Sequence, residues 1–88
     1  MPFTFYILYS DKAQKFYIGF TGTDIQQRLK KHNTNHKGFT GKFGDWKIVR
    51  LEYFQTKQEA MKREKQVKAW KNAHKIKALI EASENKNR

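Results

Sequence analysis

Hydrophobic and aromatic residues gather into a few short runs along this chain, and the spacing changes from run to run. "FTFYILYS" at 3–10 and "KFYIGF" at 15–20 are rich in aromatic and β-branched residues and have strand length. The polar "DKAQ" between them is of hairpin length, so the two strands are expected to pair antiparallel. From Asp24 the spacing becomes helical. Ile25 and Leu29 lie one turn apart, Asp24 stands at the N-cap with Gln27 three residues on, and Asn33–Asn35 closes the segment. "WKIVRLEYF" at 46–54 reads as a third strand. Thr56 and Glu59 form a T-x-x-E capping box that opens "KQEAMKREKQVKAW", and Asn72 is placed to cap a further short helix through Leu79 and Ile80. The resulting order, β-β-α-β-α-(α), predicts an α+β fold with a three-stranded antiparallel sheet flanked by helices.

Length allows one core and no more: 88 residues make a single domain, expected over 1–82, with 83–88 ("SENKNR") as a frayed tail. The chain has 19 Lys and Arg against 8 Asp and Glu, a formal net charge of +11. That excess is spread over both halves, +5 over residues 1–54 and +6 over 55–88, so it is a property of the globule. A polyanionic partner is the usual counterpart, because neutralising phosphates releases counterions. The absence of Cys excludes a disulfide framework and a thiolate metal site. The apolar Phe3–Tyr9 run is short and has no basic leader, and no run approaches the roughly 20 apolar residues of a spanning helix. A cytoplasmic protein without membrane attachment is therefore expected.

Several side chains stand out against this background. Tyr6 and Tyr17 lie on the two hairpin strands, and a register pairing Tyr6 with Tyr17 or Gly19 puts both rings on one face. Packing alone would also account for two strand tyrosines. Arg28 and His32 are four apart and share a helix face, with Arg28 bordering the Ile25 stripe, where a guanidinium can hold a phosphate bidentately. Glu64 falls four after Ala60 and three before Val67, on the stripe expected to face the core, amid Lys62, Arg63, Lys65 and Lys68. An inward carboxylate there is either ion-paired or a cation ligand, and carboxylate oxygen suits Mg²⁺. The histidines His32, His36 and His74 form no metal-binding pattern, and no phosphate-binding or nucleophile-elbow motif is present.

In order and spacing these positions resemble the GIY-YIG nuclease superfamily, in particular its small stand-alone bacterial members, over roughly residues 3–80. Tyr17-Ile18-Gly19 keeps the second signature motif. Thr4-Phe5-Tyr6 stands for the first and retains only its Tyr, 11 residues before Tyr17. Losing Gly and Ile alters strand packing and removes no chemical group. The resemblance implies a metal-dependent endonuclease that hydrolyses phosphodiester bonds in DNA, branched or damaged, with one Mg²⁺ or Mn²⁺. It assigns the metal to Glu64 and the phosphate charge to Arg28. It assigns the attacking water to Tyr17, assisted by Tyr6, with His32 as the alternative proton acceptor. A phenol titrates near pH ~10 and an imidazole near ~6.5, so Tyr17 needs nearby positive charge to act as a base.

The glycine-rich 36–45 loop, through Lys37, Thr40 and Lys42, and the later helices, through Lys68 and Lys71, are expected to hold the nucleic-acid backbone. The family's last polar site position falls to either Lys71 or Asn72. DNA is the expected partner, RNA the open alternative, and a partner protein could supply specificity. The competing reading is a non-catalytic basic nucleic-acid-binding module.

Overall fold

The structure is a computed structural model, and it describes residues 2–34 and 43–85, with the side chains of 83–85 left aside. Its elements follow the expected order: β1 (Phe3–Ser10), β2 (Lys15–Thr21), α1 (Ile25–Thr34), β3 (Lys47–Phe54), α2 (Lys57–Trp70) and α3 (Ala73–Asn85). The three strands form one antiparallel sheet in the order β2-β1-β3. The fold is α+β, as the hydrophobic pattern predicts. α3 runs on past Leu79 and Ile80 to Asn85, into the segment expected to fray.

The caps are built from the residues that the sequence marks. Asp24 Oδ1 accepts from the Gln26 N–H at 3.0 Å, and its carbonyl accepts the first helical bond from Arg28. Thr56 and Glu59 close a complete capping box on α2. Asn72 Oδ1 accepts from the N–H groups of His74 (2.9 Å) and Lys75 (3.3 Å), opening α3.

Strand alternation divides the core between the two faces of the sheet. Phe5 and Ile7 of β1 join Ile18, Val67 and Ile76 on one face, with Val49, Trp70 and Leu79 packed around them. Tyr6 and Leu8 join Trp46 on the other, with Tyr17, Ile25, Leu29, Ile48 and Leu51 around them. A bulge keeps β3 faithful to both. Ile7 pairs with Arg50 but Leu8 pairs with Ile48, so Val49 is the extra residue. It lets Ile48 and Leu51, three apart, share the Tyr6 face, which strict alternation would forbid.

Beneath α2 lies an ion network. Glu52 accepts from Arg50 Nε (2.6 Å) and from Arg63 Nε and Nη2 (2.9 and 3.1 Å). Arg50 Nη1 also donates to the Leu79 carbonyl at 3.2 Å, tying α3 to β3. On the opposite face, Asn33 exchanges two hydrogen bonds with the Trp46 backbone, at 2.7 and 3.1 Å, and so fixes the end of α1 to the start of β3.

Candidate active site

The hairpin register sets the site. Tyr6 pairs with Gly19 and Leu8 with Tyr17, so the two tyrosines are diagonal neighbours on one face. Their rings stack at 6.4 Å between centroids with a 20° interplanar angle. This is the arrangement expected from alternation. Gly19 is what permits it: the Tyr6 ring lies directly over the glycine, where no side chain intervenes.

α1 brings up the remaining groups. His32 is buried, its ring tilted against Tyr17 at 4.6 Å between centroids. Its Nε2 lies 3.1 Å from the Tyr6 hydroxyl oxygen, in a buried hydrogen bond between residues 26 apart in sequence. Arg28, one turn earlier, places its guanidinium against the same Tyr6 hydroxyl. The Arg28 Nε is buried and has no hydrogen-bond partner among the described residues. Trp46 packs edge-on to Tyr17 at 6.3 Å and closes the cluster from beneath.

The electrostatics follow from this packing. Burial raises the Tyr6 phenol above its ordinary pKa. The Arg28 contact opposes that rise, and the charges of Tyr17 and Glu64 add to it. Tyr6 therefore stays protonated near neutral pH. Burial lowers the His32 imidazole below its ordinary value, and the Arg28 charge lowers it further, so His32 is neutral there. The Tyr6 contact raises Arg28, against the effect of burial.

Glu64 approaches from α2, near enough for its charge to act on Tyr6. Its side chain is only 19% exposed, and its Oε2 lies 3.5 Å from Lys68 Nζ. Among the described residues no three His, Cys, Asp or Glu side chains gather into a metal cage. A single, largely buried carboxylate held by a long ion pair suits a hard cation that keeps most of its water, and Mg²⁺ and Mn²⁺ are of that kind.

Tyr6, Tyr17, Arg28 and His32 thus meet in one cluster with Glu64 at its edge. Lys68 and Lys71 lie in a groove along β2 that Tyr17 also lines. Of the two candidates for the last polar position, Asn72 commits its Oδ1 to capping α3, while Lys71 is the left-handed C-cap of α2. Lys37, Thr40 and Lys42 fall outside the described residues. Sequence reasoning missed the Tyr6–His32 hydrogen bond, and it missed Trp46 as the floor under Tyr17. The apolar Trp46 at the start of a strand was the available signal for the latter.

Fold and cluster together define a small nuclease-type domain, and the comparison with known families agrees: the chain belongs to the GIY-YIG family, whose catalytic domain matches residues 2–77. Among solved structures it is similar to the solution NMR structure of a UPF0213 protein from Bacillus halodurans. The identity is 31% and the TM-score 0.59, over 93% of this chain and 85% of that one. No curated protein matches the chain. Family membership implies a nucleic-acid substrate. No helix among the described residues is long and apolar enough to cross a membrane.

Proposed function

We propose that this chain is a cytoplasmic, metal-dependent endonuclease that hydrolyses phosphodiester bonds in DNA, with branched or damaged DNA as its substrate and one Mg²⁺ or Mn²⁺ ion. The observation that carries the reading is the buried, unpartnered Nε of Arg28 beside the Tyr6–His32 pair. A buried donor left unpaired on a half-buried guanidinium carries a cost that an anion can relieve. A phosphate oxygen does so with the planar fork that Arg supplies.

Each side chain then has a task. Arg28 binds a non-bridging phosphate oxygen and stabilises the charge that grows there as water attacks. Tyr17, in its phenolate form, faces the attacking water and takes its proton. Tyr6, protonated, donates to the neutral His32 Nε2, accepts from Arg28 and stacks on Tyr17, and so fixes the positions of all three. Water adds to phosphorus, the bond to the 3′ oxygen breaks, and that oxygen leaves with a proton from solvent. Glu64 would hold the divalent ion, which supplies Lewis-acid stabilisation of the leaving oxygen when bound.

The test is cleavage of branched, nicked and linear DNA in Mg²⁺ or Mn²⁺ by the wild type, Glu64→Ala, Arg28→Ala and Tyr17→Phe. Loss of cutting in the first two variants with retained DNA binding supports the reading, and equal cutting by wild type and Glu64→Ala refutes it. The Glu64–Lys68 ion pair favours a second reading, a non-catalytic binding module in which Glu64 is structural. That reading expects DNA binding without metal-dependent cutting.

A further inference from the structure

β2 is an edge strand, and beside it runs a groove of about 630 Å³ closed on its far side by the α2–α3 junction. That volume lies within the about 300–1,000 Å³ of clefts that take small ligands. Its accessible apolar lining is aromatic, from the half-buried Tyr9 and Phe16, over the buried core residues Ile18, Val67 and Ile76, and its lysines are Lys15, Lys68, Lys71 and Lys77. Among the described residues no Asp or Glu lines it. Tyr17 lines it too, and Lys68, which pairs with Glu64, is on its wall, so the groove on the α2–α3 face meets the candidate active site on the other face around the β2 edge.

The backbone gives an independent sign. Among the described residues only Gln14 (φ 53°) and Lys71 (φ 46°) are non-glycine residues with positive φ, and both line this groove. Glycine is the usual occupant of a left-handed C-cap, because a side chain there is strained. At Lys71 that left-handed turn falls on the wall of the groove.

Resting on the nuclease-site reading above, we propose that this groove seats one unpaired nucleotide of the substrate strand next to the scissile phosphate. The base lies against the apolar lining, and the lysines hold the flanking phosphates. A surface that only tracks the duplex backbone needs cations and no apolar floor, whereas an unstacked base offers a flat apolar face to cover. Paired bases keep that face inside the stack. The substrates taken are therefore those with a nucleotide already out of the helix, at a bulge, flap or junction, since extruding a paired one costs free energy.

The test measures binding by the full chain in EDTA, where no cutting occurs. The probes are a DNA duplex with one bulged thymidine, the same duplex with an abasic bulge, and the perfect duplex. Wild type is expected to bind the bulged thymidine about fivefold or more tighter than the abasic bulge, as loss of one stacked base requires. Lys71→Gly is expected to weaken binding to all three and to reduce the salt slope by about one. Its thermal midpoint should not fall, because glycine accepts the left-handed cap. Lys77→Gln, at an exposed position, gives the same readout should Lys71→Gly prove less stable.

Equal affinity for the thymidine and abasic bulges overturns the proposal, as does unchanged binding by both variants. The two readings fail separately. A chain that discriminates the bulges but never cuts DNA in metal refutes the nuclease alone. One that cuts without discriminating refutes the nucleotide subsite alone.

Discussion

Gly19 and Tyr6 face each other across β1 and β2, and a Cβ at position 19 would lie 2.7 Å from the Tyr6 hydroxyl oxygen and 2.9 Å from its Cζ. The same Cβ would come within 3.3 Å of Tyr17 Cε1. One missing side chain thus sets where the phenol sits, and the phenol in turn meets His32 and Arg28.

Gly19→Ala should therefore displace the Tyr6 hydroxyl and weaken its bond to His32. Overpacking of this kind costs about 1–3 kcal/mol, read as a lower urea midpoint. Activity on DNA should drop more than tenfold, since about 1 Å of misplacement costs on the order of 10²-fold. In a Tyr6→Phe background the atom in closest conflict is gone, so the stability cost of Gly19→Ala should shrink. Equal costs in both backgrounds would mean that the two residues do not conflict.

Arg28 supplies the next expectation. Arg28→Lys keeps the positive charge and loses the planar fork, so it should reduce cleavage nearly as far as Arg28→Ala, by about 10²–10³-fold. Both changes lose the contact with the Tyr6 hydroxyl, and neither loses a hydrogen bond at Nε. Their urea midpoints should fall only slightly, as loss of one part-exposed hydrogen bond requires, while kcat falls far more. A loss of activity that tracked the loss of stability would point to a structural Arg28 instead.

How much of this was legible in the sequence depends on the distance over which each contact acts. The hairpin register followed from alternation within two adjacent strands, so the Tyr6–Tyr17 pairing was readable, as were the Thr56–Glu59 box and the Asn72 cap. Glu64 was readable as an inward acid because helix periodicity sets its angle to Ala60 and Val67. The Val49 bulge was not: "KIVRLEY" carries apolar residues on both faces, and only pairing with β1 shows which residue is extra. Lys71 gave no sign either, because a left-handed lysine looks like any other lysine until the chain turns there. Glu52 looked like an ordinary strand acid, since its partner Arg63 is 11 residues away on a helix.

The Glu52 network should be felt in acid. Burial raises its carboxyl pKa, but the hydrogen bonds from Arg63 and Arg50 outweigh burial and hold it below the ordinary value. A depressed carboxylate contributes stability above its unfolded pKa, near 4.3, and that contribution is lost as pH falls through the lower folded value. Stability should then fall steeply below about pH 4. Glu52→Gln should flatten that fall and destabilise the protein at pH 7 by about 2–4 kcal/mol, because two arginines lose their shared anion. Urea midpoints across the acid range would reveal this, and an unchanged slope would remove Glu52 as the cause.

His32 has the opposite charge type but acts in the same direction with pH. Burial depresses its pKa and Arg28 depresses it further, so the folded state resists the proton that the unfolded chain accepts. The unfolded state then binds more protons between the folded value and about pH 6.5, and stability rises with pH across that window. The contribution is full above about 6.5 and is lost as pH falls toward the folded value. Protonation would also place a cation beside Arg28 and leave Nε2 only as a donor to the Tyr6 oxygen. Cleavage should accordingly fall on the acid side of neutrality together with the urea midpoint. His32→Gln can still reach the Tyr6 hydroxyl with a neutral amide, so it should keep the fold and abolish this part of the pH dependence. Titrating the ring by NMR in both free and DNA-bound protein would check the assignment, and a His32 that titrates at or above the ordinary histidine value would overturn it.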